Sequence, residues 1–161
     1  RKSKMKMSFV PCWCLSILIL VSPFQQMCAY GNEFVAFNAY INKHLTFHTY
    51  TAANVVYDAV LYNYGNAYNT QSGYFTAPSD GLYVFTWTSV VAPKKIFDTQ
   101  IMVNGQRNGL ANCNNIGNPG YENCANTVPL VLKTGDKVNI QTTTANYLLM
   151  YWSSFKGWKV Q

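Results

Sequence analysis

Short runs of apolar and β-branched residues, separated by turn residues, follow one another along most of this chain. The most regular run is 82–91, where Tyr83, Phe85 and Trp87 fall on one face because successive side chains of a strand point to opposite sides. The alternate residues on the other face are also apolar or β-branched. A strand with two such faces is expected between two layers. The pattern therefore predicts a central strand over 82–91.

Similar runs predict the remaining strands. They lie at 34–41, 43–50, 55–61, 73–77, 99–103, 127–132, 137–143 and 147–160. The dipeptide Asn104-Gly105 predicts a tight hairpin turn, and the Asn- and Gly-rich stretch 106–126 is expected to be irregular. No amphipathic helical pattern separates the strands. Closely spaced strands joined by turns predict an all-β fold, a two-sheet antiparallel jelly-roll sandwich.

Composition and charge narrow the class of protein. Charged residues make up 11% of the chain and aromatic residues 16%. A disordered chain combines low hydrophobicity with high charge, so this composition excludes a disordered protein. The formal net charge is +6, but four of the twelve Lys and Arg lie within residues 1–6. The rest of the chain carries eight basic against six acidic side chains, a net of +2, and we expect no nucleic-acid partner.

The first residues have the layout of a secretory signal peptide. The basic stretch 1–6 precedes an apolar run at 9–21, which is shorter than the roughly 20 residues that a membrane-spanning helix needs. The small residues Ala29 and Gly31 predict cleavage after Gly31. We therefore predict a signal peptide over 1–31, preceded within that range by upstream sequence at 1–4. The domain at 32–161 is then expected to be secreted and extracellular, with no membrane span.

The cysteines agree with this division. Three of the five lie in the predicted signal peptide, which leaves Cys113 and Cys124 as an even pair. An even pair in an oxidising compartment predicts a disulfide bond. Two free buried thiols are the alternative.

The spacing of residues from Tyr57 to Trp87 resembles the signature of the complement C1q-like globular-head domain family, whose members share a jelly roll with tumour necrosis factor-like proteins. The matching positions are Tyr57, Asn63, Tyr68, Phe75, Gly81, Tyr83, Phe85 and Trp87, with Phe155 and Gly157 similar to the last strand of the family. Tyr57 stands where Phe is usual, and Trp87 stands where Phe or Tyr is usual. The chain has no Gly-X-Y run, so it resembles a short secreted form without a collagen stalk.

The resemblance implies a homotrimer packed about a three-fold axis along the terminal strands. The sequence is compatible with it, because the apolar runs at 34–41 and 147–152 do not alternate and would overfill the core of a monomer. Two ordinary buried strands are the alternative.

The Asn-rich stretch 104–126 is the best candidate for a recognition surface. Amide groups offer both donors and an acceptor to sugar hydroxyls, and a loop held by a disulfide loses less entropy on binding. The predicted ligand-binding residues are Arg107, Asn108, Asn114, Asn115, Tyr121 and Glu122. A solvated loop that uses Asn and Gly for its turns is the alternative.

Catalytic and metal-binding patterns are weak. His44 and His48 share one face of a strand, but no cysteine or carboxylate completes a metal set. The sequence has no nucleophile elbow, zinc-protease motif or phosphate loop. We predict that the protein is not an enzyme and has no catalytic residues, no metal site and no cofactor. Calcium held by Asn and backbone oxygens stays open, because some members of the resembled family bind it.

These observations predict a secreted, lectin-like pattern-recognition protein that binds glycans on microbial or foreign surfaces in innate immunity. A trimeric cytokine-like or adhesion ligand for a protein receptor is one alternative, and a component of the extracellular matrix is another.

Overall fold

The computed structural model describes residues 34–45, 52–145 and 152–160. The predicted signal peptide, most of the predicted strand at 43–50, the start of the one at 147–160 and His48 lie outside these residues.

The described residues form β-strands, and no helix among them is long and apolar enough to span a membrane. The strands are β1 Ala36–Tyr40, β2 Ala53–Val55, β3 Ala59–Tyr64, β4 Tyr68–Asn69, β5 Tyr74–Thr76, β6 Gly81–Val91, β7 Phe97–Val103, β8 Gln106–Ala111, β9 Glu122–Leu132, β10 Lys137–Ala145 and β11 Ser154–Val160. They are arranged in two antiparallel sheets, with strand orders β3-β1-β11-β6-β9 and β4-β5-β10-β7-β8. β2 pairs with β10 at one end of the second sheet. The predicted two-sheet antiparallel jelly-roll sandwich is therefore confirmed.

The core lies between the two sheets and is rich in aromatic side chains. Tyr83, Phe85 and Trp87 point inward from β6 and are buried, as their alternation predicts. Phe75 from the facing sheet meets Tyr83 and Phe85 edge to face, with ring centroids 5.4 and 5.1 Å apart. Aromatic pairs in this arrangement stabilise a core beyond the area that they bury. The predicted central place of β6 in its sheet is confirmed, because it pairs with β11 on one side and β9 on the other. The expected second covering layer is not seen among the described residues, since Leu82, Val84, Thr86 and Thr88 on the other face are exposed or half-buried.

Gly157 fits the core for a steric reason. It lies directly opposite Phe37 on β1 and Phe85 on β6. A Cβ atom at this position would lie 2.6 Å from a ring carbon of each. The residue therefore allows the two aromatic side chains to pack over the backbone of β11.

Two sequence predictions about strand limits were wrong. The predicted strand 55–61 is divided, because β2 belongs to the six-stranded sheet and β3 to the five-stranded sheet. The stretch 106–126 is less irregular than expected, since its first six residues form β8 and its last five begin β9. The predicted turn at Asn104-Gly105 is confirmed, and both residues adopt positive φ, as a type I′ hairpin requires.

Candidate functional site

The irregular segment between β8 and β9 comprises residues 112–121, which we call the disulfide loop. Cys113 in this loop and Cys124 in β9 form the predicted disulfide bond, with Cα atoms 5.6 Å apart. Cys113 lies just after β8, at the edge of the six-stranded sheet, and β9 is the edge strand of the five-stranded sheet. The bond therefore links the edges of the two sheets. The loop is therefore covalently fixed to the sandwich at its base.

The carboxylate of Asp98 anchors the beginning of the loop. Its Oδ1 accepts hydrogen bonds from Asn112 Nδ2 at 2.6 Å and from the backbone N–H of Cys113 at 3.1 Å. Its Oδ2 accepts one from the Thr144 hydroxyl at 2.5 Å. Hydrogen bonds to a charged acceptor are stronger than neutral ones, so Asp98 on β7 ties the loop to the six-stranded sheet.

Asn115 organises the interior of the loop. Its side chain is fully buried, and Nδ2 donates to the backbone carbonyls of Val91 at 3.0 Å and Gly120 at 2.7 Å. Its backbone also pairs with Lys94 and Lys95 in the preceding connection. The sequence predicts a ligand-binding role for Asn115, whereas in the structure its side-chain amide closes the loop. A buried side chain cannot contact a ligand, and we leave Asn115 out of the proposed site.

The outer surface of the loop combines amide and apolar groups. Asn114 is exposed, and the side chains of Ile116 and Tyr121 are 57% and 63% exposed. Asn114 Oδ1 accepts a hydrogen bond from the Ile116 backbone N–H at 3.2 Å, which orients its amide. An exposed phenol ring and a fixed amide on one loop offer a flat apolar face and polar donors, as a sugar or a protein partner requires.

The other predicted residues do not all lie at this surface. Glu122 follows Tyr121 directly and is half-buried as the first residue of β9. Arg107 and Asn108 lie on β8, near the 104–105 turn and away from the disulfide loop. A strand advances about 3.3 Å per residue, so these two side chains are at the opposite end of β8. Asn114 and Tyr121 share the disulfide loop and Glu122 follows it directly, whereas Arg107 and Asn108 lie apart from them on β8.

Sequence reasoning missed the connection between β6 and β7, which lies against the disulfide loop. The backbone N–H of Lys94 donates to the Asn115 carbonyl at 2.8 Å, and Ile96 forms an isolated bridge with Asn114. The exposed side chain of Lys94 therefore adds a cation beside the loop. The sequence signal for this connection was a pair of adjacent lysines after a proline, in the stretch 93–95.

Within the described ranges, no group of three or more His, Cys, Asp and Glu side chains could hold a metal ion. His44 is exposed, and the predicted pairing with His48 involves a residue outside those ranges.

The comparisons with known proteins agree with this architecture. The family model for the C1q domain matches residues 36–158. The globular domain of zebrafish complement 1qA is 16% identical, with a TM-score of 0.66, and the match covers 80% of this chain and 98% of that one. Murine APRIL is 12% identical with a TM-score of 0.64, and 79% of this chain and 99% of that chain are covered. The Eiger TNF of S. frugiperda is 12% identical with a TM-score of 0.60, covering 80% of this chain and 94% of that one. No curated protein sequence matches the chain.

Proposed function

Because this chain belongs to the C1q domain family, we propose that it is a secreted, non-enzymatic recognition protein of innate immunity that binds glycans on microbial or foreign surfaces as a homotrimer. The observation that carries the proposal is that the side chains of Asn114 and Tyr121 are both exposed on one loop, which a disulfide, Asp98 and Asn115 anchor.

Rigidity favours weak polar ligands such as sugars. A sugar gains little from each hydrogen bond, so a flexible loop would lose most of that gain in ordering itself. The anchors of the disulfide loop are internal to the protein, which leaves the exposed phenol of Tyr121 and the exposed amide of Asn114 for the ligand. Several heads on one particle would then multiply a weak affinity by avidity.

The outer face of the five-stranded sheet supports a trimer. Register places Tyr64, Trp158 and Val84 on this face, in line across β3, β11 and β6. Other exposed apolar side chains on the same side are Leu61, Tyr62, Leu82, Val131, Trp152 and Val160. A monomer seldom exposes so extensive an apolar patch, and a second and third copy of the chain would cover it.

Sedimentation equilibrium of the secreted protein tests the trimer. We expect the mass of three chains for the parent and dissociation for Trp158→Glu, which places a charge in the covered face. Leu110→Glu is the matched control, because Leu110 is also an exposed apolar residue, 54% against 42% for Trp158, but lies on β8 of the other sheet. A monomeric parent, or a Trp158→Glu trimer as stable as the control, would refute the assembly.

Binding to arrayed glycans and to bacterial or yeast wall polysaccharides, with and without calcium, tests recognition. We expect Tyr121→Ala and Asn114→Ala to lose most of the binding, and Asn108→Ala at the far end of β8 to retain it. Failure of the parent to bind any glycan would refute the proposal, and equal loss in all three variants would refute the site.

A ligand for a protein receptor is the second candidate. Ile116 favours it, because a large exposed aliphatic side chain on a rigid loop is suited to a protein pocket more than to a sugar. Cell-surface binding that Ile116→Asp abolishes and that sugars do not displace would select this candidate.

A further inference from the structure

A groove lies on the outer face of the six-stranded sheet, at the end where the 104–105 turn meets β5 and β10. It has a volume of about 650 Å³, which is within the range of small-ligand sites. Its side chains come from Asn69, Ser72, Tyr74, Thr76, Asn104 and Lys137. We call it the outer-sheet groove.

Strand pairing explains why these side chains meet. Tyr74 lies directly opposite Asn69, and Thr76 lies directly opposite Lys137. Directly opposed residues share a face, and Phe75, between Tyr74 and Thr76, is buried on the inner one. The outer face therefore presents a half-buried phenol ring beside an amide, a hydroxyl and an ammonium group.

The outer face carries two cationic side chains, and no carboxylate lines the groove. The exposed ammonium group of Lys137 has no ion-pair partner among the described residues, and the groove lining includes neither Asp nor Glu. Register adds a second cation, because Met102 on β7 pairs with Asn139 on β10 and with Arg107 on β8. Arg107 therefore lies on the same outer face, two strands from Lys137.

The neighbouring carboxylate is already engaged. Asp136 Oδ2 accepts a hydrogen bond from the Lys133 backbone N–H at 2.7 Å, and its Oδ1 accepts one from Asn104 Nδ2 at 2.8 Å. Asn104 Oδ1 in turn accepts from the backbone N–H of Lys137 at 2.9 Å. These hydrogen bonds fix the turn that forms one wall of the groove and direct both carboxylate oxygens of Asp136 to the turn, not to the Lys137 ammonium group.

On the opposite wall, Asn69 keeps a donor available. Its Oδ1 accepts hydrogen bonds from the backbone N–H groups of Gln71 and Ser72, at 2.9 and 3.0 Å. Those bonds fix the side chain while its Nδ2 has no partner among the described residues. The wall therefore presents an oriented amide N–H group next to Tyr74.

We propose that the outer-sheet groove binds an acidic sugar unit, one that carries a carboxylate or a sulfate. The face of the Tyr74 ring packs against the sugar, and Asn69 Nδ2 donates to its hydroxyls. Lys137 neutralises the anionic group, and Arg107, two strands away on the same face, adds to the positive field without lining the groove. The site is separate from the disulfide loop, and it extends the proposed function by naming the class of sugar that a second surface selects.

Titration calorimetry on the secreted protein tests the proposal with three tetrasaccharides. Tetragalacturonate carries carboxylates, a heparin tetrasaccharide also carries sulfates, and cellotetraose is neutral. We expect at least one acidic probe to bind, more weakly as salt is raised, and cellotetraose not to bind. Which of the two acidic probes binds identifies the anionic group.

Lys137→Gln should weaken binding of the acidic probe by about 2- to 5-fold, the scale of one exposed charge pair. Lys43→Gln is the matched control, with the same change of net charge in the connection after β1. Both lysines are exposed, so both variants should have the melting temperature of the parent.

Three outcomes would overturn the proposal: equal binding of cellotetraose, failure of both acidic probes, or equal affinity of Lys137→Gln and Lys43→Gln. Tyr121→Ala in the disulfide loop should leave this binding unchanged, which separates the outcome from that of the proposed loop site.

Discussion

The hydroxyl of Tyr68 holds the backbone of Tyr57 at both of its polar groups. It accepts a hydrogen bond from the Tyr57 N–H at 3.2 Å and donates one to the Tyr57 carbonyl at 3.1 Å. The side chain of Asn63 does the same for the backbone of Tyr68, at 3.3 and 2.8 Å. Three signature positions are therefore linked by side-chain hydrogen bonds, and at Tyr57, in the connection between β2 and β3, these bonds satisfy backbone groups that lie outside the strands.

Tyr68→Phe should lower the free energy of unfolding by about 2 kcal/mol, because it leaves a buried N–H and a buried carbonyl of Tyr57 without partners. The ring itself, which stacks on Phe37 with centroids 4.8 Å apart, is retained. Urea unfolding followed by fluorescence measures the change. Tyr121→Phe, at an exposed position of the disulfide loop, is the control, and equal stability of the two variants would contradict the assigned role.

Burial raises the pKa of the Tyr68 hydroxyl well above its ordinary value, although its hydrogen bond to the Tyr57 backbone acts in the opposite direction. The neutral hydroxyl that both hydrogen bonds require is therefore retained when exposed tyrosines ionise. A spectroscopic titration should show Tyr68 ionising only as the protein unfolds in alkali, and ionisation together with the exposed tyrosines would contradict this assignment.

Gly157→Ala should destabilise the domain by about 1–3 kcal/mol, the usual effect of overpacking a core. The added methyl group would lie 2.6 Å from ring carbons of Phe37 and Phe85, both of which are buried. Gly117→Ala is the matched control, since nothing lies within 4 Å of a Cβ there. Thermal unfolding of the two variants measures the difference, and a Gly157→Ala protein as stable as the control would show that the rings can move aside.

Loss of the disulfide should loosen the loop while the sandwich stays folded. The double variant Cys113→Ser/Cys124→Ser removes a link that closes a short loop and is worth about 3 kcal/mol in the chain-entropy picture. Hydrogen exchange should rise at 112–121 and stay slow in β6. The affinity of the disulfide loop for glycan should fall, because the freed loop loses more conformational entropy on binding. Unchanged binding by the folded variant would remove the loop from the site.

Acid should weaken the turn between β9 and β10 through Asp80. Hydrogen bonds from the Thr134 backbone, the Lys133 ammonium group and the Thr134 hydroxyl lower the pKa of Asp80 to about 2. A carboxyl group whose pKa is lower in the folded state than its ordinary value of 3.8 stabilises the fold above that value. This contribution is lost as the pH falls through the folded pKa. Asp80→Asn should therefore flatten the acid side of a plot of melting temperature against pH, and parallel curves for variant and parent would contradict the assignment.

The sequence predicted the elements whose hydrophobic pattern reports burial. The alternation of 82–91 follows β6 because every second side chain enters the core, and Asn104-Gly105 adopts the turn that its residues favour. It failed for β8, an edge strand whose side chains are mostly exposed and whose backbone pairing with β7 is independent of hydrophobicity. The hydrophobic pattern also failed at 55–61, because the apolar run continues while the chain passes from one sheet to the other.

The candidate site was predicted in part for a similar reason. Composition identified the Asn-rich stretch and its disulfide, but it does not distinguish an exposed amide from one that closes a loop. Asn114 and Asn115 are adjacent and chemically identical, yet the first faces solvent and the second is buried against Val91. That difference depends on pairing with the 93–95 connection, which is remote in sequence and carries no pattern of its own.

The pairing of β1 with β11 has a consequence for biosynthesis. These are the first and last of the described strands, and they lie side by side in the interior of one sheet. As the chain leaves the ribosome, β1 cannot complete its pairing until nearly the whole domain has been synthesised, and pairings between distant strands form slowly. The apolar segment around Phe37 must therefore be kept from aggregating during that interval, and a chaperone that holds extended chains would raise the yield of folded heads.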